Sequence, residues 1–375
     1  MNLSQRVLFL VAALYVSATA CATEVVPAAG EPPTPHIALL LPLKSAAFGR
    51  AAKAVQNGFL AAANSQPQSL PIRVYECADE SSQITALYQS AVANGARAVA
   101  GPLTRNGVAA LAASSRITVP TLALNVSESG SAYNLYFFSL SAETEARQVA
   151  QLAAAAGLHI ATIISNNTAL SKRLAQAYAE EWKLRGNSIR TEIVYQDDPT
   201  ALANIPAGNG NMVFLAIDAD KAHLIRPYLN AALPVYATSQ LFNGNADKLT
   251  NFDLNDIRFV DMPWLLQPEH PAVMIYPRAN PPLEADMERL YALGIDAYRL
   301  LQILLDNNLR TALPLDGVTG SIQINSEQQF QRSGMPALFF QGRGITPEEA
   351  EAILAASMAV SGVPAASGVP ASGMQ

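Results

Sequence analysis

From residue 36 onward, short apolar runs alternate with stretches of helical periodicity. Residues 37–41 (IALLL) show no polar alternation, as expected of a strand covered on both faces. Residues 50–63 place Ala51, Val55, Phe59 and Ala62 on one helical face. Residues 84–93 do the same with Ile84, Leu87, Ala91 and Val92. Strands are expected at 72–75, 98–100, 118–124 and 136–139, with a helix at 108–113. The cycle then restarts, with helices at 142–156, 171–185 and 221–231 and strands at 160–164, 189–195, 212–217, 235–237 and 257–260. Successive β-α-β units demand parallel pairing and right-handed crossovers, so the pattern predicts two doubly wound α/β units. A long helix over 283–307 follows, with Met287, Leu290, Gly294, Ala297, Leu301 and Leu304 recurring at three and four residues. Residues 320–324 and 338–341 predict a closing pair of strands. Two open sheets of this kind leave a cleft at the carboxyl ends of their strands.

The ends speak of location. Residues 1–20 read as an export signal: Arg6 is the positive region and 7–16 (VLFLVAALYV) an apolar run too short to span a bilayer. Small residues lead into Cys21, and two readings stay open there. One is a lipobox whose cysteine is acylated, with Ala18 where leucine is usual. The other is ordinary cleavage at Ala18-Thr19-Ala20 or Ala20-Cys21-Ala22. Ala22 in place of aspartate would sort a lipoprotein to the outer membrane. Residues 22–35 are rich in proline and form a tether reaching about 40 Å at ~3.1 Å per residue. Residues 361–375 nearly repeat GVPA and are expected to be disordered. Thr346, Pro347 and Glu349 carry the signature of a helix start.

Charge and composition narrow the chemistry. A net charge of -6 argues against a nucleic-acid face. Two cysteines cannot build a disulfide framework or a four-cysteine zinc site, and Cys77 reads as a buried small hydrophobe. His36, His159, His223 and His270 are scattered in sequence, and no nucleophile, zinc or phosphate-loop motif is present. No enzyme, cofactor or metal site is expected.

Several motifs then carry a resemblance. They are IALLLPL at 37–43, Phe48-Gly49, Asn57-Gly58-Phe59, VAGPL at 99–103, PTLALN at 120–125 and PVYATS at 234–239. The most specific are DMPWLL at 261–266 and RLYALGIDAY at 289–298, followed by GVTG at 317–320. Over about 36–343 the chain resembles the LppC family, the lipoprotein activators of class A penicillin-binding proteins, on a type I periplasmic-binding-protein-like fold. The resemblance implies two lobes and three inter-lobe crossovers. It divides the chain into a first lobe (36–140), a second lobe (141–262), a return to the first (263–314), final strands in the second (315–343) and a short helix (344–360). It further implies a non-catalytic protein that is lipid-anchored at Cys21 to the outer membrane, faces the periplasm and promotes peptidoglycan synthesis. Better-known members carry a helical repeat domain ahead of this module, and here the tether of 22–35 stands in its place.

The fold also places cleft candidates at the strand ends: Lys44, Ser45, Thr104, Asn125 and Ser127 in the first lobe, and Tyr236 and Ser239 in the second. Loop and turn capping is the competing role for each. In amino-acid-binding relatives of this fold, hydroxyls at the third and fourth strand ends hold a carboxylate, and an acid on the second lobe holds the ammonium. Residues 235–246 contain no acid. The alternative function is a soluble periplasmic receptor delivering a small polar or amino-acid-like ligand to an ABC transporter. Trp264 is a partner-anchor candidate or a core residue at the lobe crossing.

Overall fold

The computed structural model describes residues 33–66, 70–114, 116–126, 132–246 and 249–361. The signal, Cys21, Ser127 and nearly all of the 361–375 tail lie outside the described residues. The first unit runs β1 (His36–Leu41), α1 (Gly49–Asn64), β2 (Ile72–Glu76), α2 (Glu80–Ala93), β3 (Ala96–Ala100), α3 (Arg105–Ala113), β4 (Thr121–Ala123) and β5 (Leu135–Phe138). The second runs α4 (Ala142–Ala155), β6 (Ile160–Ser165), α5 (Ala169–Leu184), β7 (Ser188–Val194), β8 (Asn211–Ala216), α6 (Ala219–Ile225), β9 (Val235–Ala237) and β10 (Arg258–Asp261). Then come α7 (Pro263–Leu266), α8 (Pro271–Met274), α9 (Ala285–Leu305) and α10 (Leu309–Ala312). The chain ends in β11 (Leu315–Gly317), β12 (Gly320–Ile324), β13 (Gln329–Ser333), β14 (Met335–Phe340), β15 (Arg343–Ile345) and α11 (Pro347–Ser361).

Two mostly parallel sheets result. One is ordered β11-β12-β13-β5-β4-β3-β1-β2 and the other β15-β14-β10-β9-β8-β6-β7. β1 is buried at all six positions, as its unbroken apolar run requires. Helix starts follow the caps in the sequence: Thr104, Ser141, Thr168 and Asp218 each accept a first-turn amide. Thr346 likewise accepts the Glu349 amide and starts α11.

The closing strands differ from expectation. Strands β12 and β14 do not pair; they lie in different sheets. Of the stretch 315–343 assigned to the second lobe, β11, β12 and β13 extend the first sheet, where β13 runs parallel to β5 through Gln329↔Phe137 and Phe330↔Phe138. Ile322 and Phe330 are buried in the first lobe's core, which holds the hairpin there. Strand β13 (QFQRS) is short and polar, so no apolar run announced it. The third crossing therefore falls at Gly334, between β13 and β14. The helix expected at 221–231 is also shorter: α6 ends at Ile225 and a 3₁₀ turn containing Pro227 follows.

Helix α9 lines two cavities of the cleft. It crosses α1 at glycine contacts on both sides. A Cβ on Gly58 would run into the Tyr291 carbonyl, and one on Gly294 into that of Val55. With α1 this close on one side and β3, β4 and α7 packed on others, α9 is buried nearly all round rather than along one stripe.

Candidate functional site

The carboxyl ends of both sheets face a cleft that α9 divides. Ala285 and Glu288 border one cavity of about 890 Å³, whose far wall is the loop 243–246 of the second lobe. Leu290 and Leu293 border another of about 270 Å³, between Asn125 of the first lobe and Glu143 and Arg173 of the second. Arg289 lies between these two faces of the helix, since successive residues turn by about 100°. Its guanidinium crosses to the second lobe. Nε and Nη2 donate to the two oxygens of Asp261 at 3.2 and 2.7 Å, and Nη2 also donates to the carbonyls of Ser239 (3.1 Å) and Phe242 (2.7 Å). Nη1 donates to Asp286 at 2.7 Å. Burial opposes the arginine's charge, but Asp261 beside it outweighs burial and holds its pKa above the ordinary value.

The positively polarised positions of the cleft are filled by the chain's own carboxylates. The amides of Leu103 and Thr104, at the start of α3, donate to Glu80 at 2.9 and 2.7 Å. Glu80 is buried, and burial pushes its carboxyl up against those bonds. Gly107 leaves room for it, since a Cβ there would meet the Glu80 side chain. Across the cleft, Glu143 pairs with Arg105 of the first lobe (3.4 Å) and Arg173 of the second (2.7 Å). Burial opposes the charge on Glu143. Hydrogen bonds from its own amide, Arg173 and Ser141, with the Arg105 charge, win and hold the carboxyl at about 2. A folded pKa below the ordinary 4.5 means that the bridge contributes stability above pH ~4.5. That contribution is lost only as pH falls toward 2.

Ser45, Thr104 and Asn125 meet at one cavity of about 470 Å³ on the first lobe. Their polar groups are engaged locally. The Ser45 hydroxyl accepts from the Phe48 amide, Thr104 caps α3, and the Asn125 amide donates to the Leu103 carbonyl at 3.0 Å. Lys44 stays outside that cavity and pairs with Glu76 at 3.6 Å, largely exposed. Tyr236 does not face the cleft: its ring packs in the second core with Tyr178 and Phe214, because alternate residues of β9 point to opposite faces. Ser239 is buried, and its hydroxyl donates to Glu145 at 2.7 Å. Glu145 is the acid that residues 235–246 lack. It arrives from α4 and is neutralised by Arg332 of β13.

Trp264 is fully enclosed, so its indole cannot anchor a partner. Its Nε1 donates to Glu288 at 2.6 Å, Tyr291 packs against it, and the Arg278 guanidinium lies 3.8 Å from its ring centroid. Cys77 is buried, and burial pushes its thiol up to about 11, which makes it inert. Among the described residues no His, Cys, Asp and Glu cluster could hold a metal, and no helix is long and apolar enough to cross a membrane.

Sequence reasoning missed the charged residues that build this junction: Glu80, Glu143, Glu145, Asp261, Arg289 and Arg332. The one signal for them was charge inside apolar motifs, as in Asp261 of DMPWLL and Arg289 of RLYALGIDAY.

Residues 30–341 match the family model described as "LppC putative lipoprotein". The penicillin-binding protein activator LpoA of Photobacterium profundum is 28% identical over 357 residues, covering 83% of this chain and 57% of the relative. The chain thus spans about half the length of the curated relatives it matches. A Chromobacterium violaceum structure described as a "putative branched-chain amino acid ABC transporter" is 38% identical, with a TM-score of 0.71 over 81% of this chain and all of that one. The C-domain of LpoA from Haemophilus influenzae, described as a regulator of PBP1A, superimposes with a TM-score of 0.66 at 21% identity. That alignment covers 83% of this chain and 99% of the C-domain.

Proposed function

Because the chain belongs to the LppC lipoprotein family, we propose that it binds a class A penicillin-binding protein and promotes peptidoglycan synthesis without catalytic groups of its own. One observation carries the reading. The chain covers 99% of the C-domain of the Haemophilus protein described as a regulator of PBP1A, within a family whose matched relatives are named activators. The mechanism is differential binding: a partner that prefers the active synthase raises its population by that preference. The cleft supports this reading, because its anion positions are already taken by Glu80 and Glu143.

The test uses purified mature protein and a class A penicillin-binding protein. A saturable complex and faster glycan-strand crosslinking in a lipid II assay are expected. No complex and an unchanged rate would overturn the reading. The Chromobacterium relative favours a second one, a receptor closing on a small ligand for a transporter.

The anchor of this reading is Cys21, and membrane fractionation checks it. Cys21→Ser is expected to move the protein from the membrane to the soluble periplasmic fraction, since a lipid chain contributes ~0.8 kcal/mol of membrane affinity per buried CH₂. An unchanged distribution would overturn lipidation at Cys21 as the anchor.

A further inference from the structure

The chain crosses between lobes three times, and every crossing is fastened by side chains from the opposite lobe. Just past the first crossing, Glu143 and Glu145 of α4 bind Arg105 and Arg332 of the first lobe. At the second, Asp261 binds Arg289. At the third, Gln148 of α4 donates to the Gly334 carbonyl at 2.7 Å and accepts from its amide at 3.0 Å. We propose that these contacts form a fixed brace. They hold the two lobes in one arrangement that needs no ligand, so that any partner meets both lobes as a single rigid surface.

The physical case rests on where the charges sit. Arg289, Asp261, Glu145 and Arg332 are all more than nine-tenths buried. A hinge opening would pull these partners apart, and breaking a buried pair is strongly destabilising because it leaves buried charges uncompensated. Two-lobed receptors close because a ligand supplies the missing contacts across the cleft. Here Arg289 supplies them from α9 and touches the second lobe at Asp261, Ser239 and Phe242. The brace does not depend on what the partner is.

The test is a distance measurement between spin labels on mature protein carrying Cys21→Ser, Lys53→Cys on α1 and Lys183→Cys on α5. Buried Cys77 stays in place. One narrow distance distribution is expected, unchanged by a mixture of amino acids at millimolar concentration. Arg289→Met is expected to raise the population of longer distances about tenfold. Gln148→Ala leaves no charge unpaired and keeps the test open if the first variant does not fold; it should broaden the distribution in the same direction. Two populations in the unsubstituted brace, a shift on adding amino acids, or a narrow distribution kept by every folded variant would each overturn the proposal. The readout contains no synthase, so its failure is distinct from failure of the activator reading.

Discussion

Asp296→Ala is expected to lower folding stability by about 3–5 kcal/mol, the range for removing one partner from a buried ion pair. The carboxylate sits on α9 with no exposure. One oxygen accepts from the Val318 amide (3.1 Å) and from Arg299 (3.0 Å). The other accepts from the amide and hydroxyl of Thr319 at 2.8 and 2.7 Å. Alanine leaves two buried amides without an acceptor, each costing about 1–3 kcal/mol. It also frees the Val318–Thr319 turn that seats the β11–β12 hairpin on α9. Thermal unfolding should show a midpoint lower by on the order of 10 °C. Thr319→Ala removes only the hydroxyl bond and should cost about 1 kcal/mol. Equal losses from the two variants would show that the turn is held by something else.

That turn also explains what could be read in the sequence. The motifs DMPWLL, RLYALGIDAY and GVTG are distant in the chain but meet in space. Arg289 of the second binds Asp261 of the first, Asp296 of the second binds Thr319 of the third, and the Trp264 amide donates to the Val318 carbonyl at 3.0 Å. The motifs were recognisable as words, and their meaning is the lobe junction. Periodicity found the two sheets because β1, β6 and β8 are apolar runs buried on both faces. It failed at β13, where the inward residues are Phe330 and Arg332, one of them charged. A buried arginine looks like a surface residue until Glu145, 187 positions away in sequence, is placed beside it. Strand-end reasoning failed at Tyr236 for a related reason: it gives the end of the sheet that a residue occupies, not the face its side chain chooses. At Trp264 two roles were open, and the core role is the one the structure shows.

No amino acid is expected to raise the melting temperature of the mature protein at millimolar concentration. An α-carboxylate would need free donors at the first lobe's strand ends, and the Leu103 and Thr104 amides already hold Glu80. An ammonium would need a free acid on the second lobe. Glu145 stands in the right region, but Arg332 and Ser239 occupy it. Burying either group of a ligand without a partner is unfavourable by several kcal/mol, so the cleft offers a zwitterion little beyond apolar contact. A receptor with micromolar affinity, at ~100 times its dissociation constant, would gain about 2.7 kcal/mol, a shift of several degrees. Glu80→Gln weakens the internal acceptor at α3 and is the variant in which a small carboxylate could compete for those amides. A shift that appears only in Glu80→Gln would identify the site as one the chain fills itself. A shift in the unsubstituted protein, together with no synthase complex, would place this chain with transport receptors like the one suggested by its Chromobacterium relative.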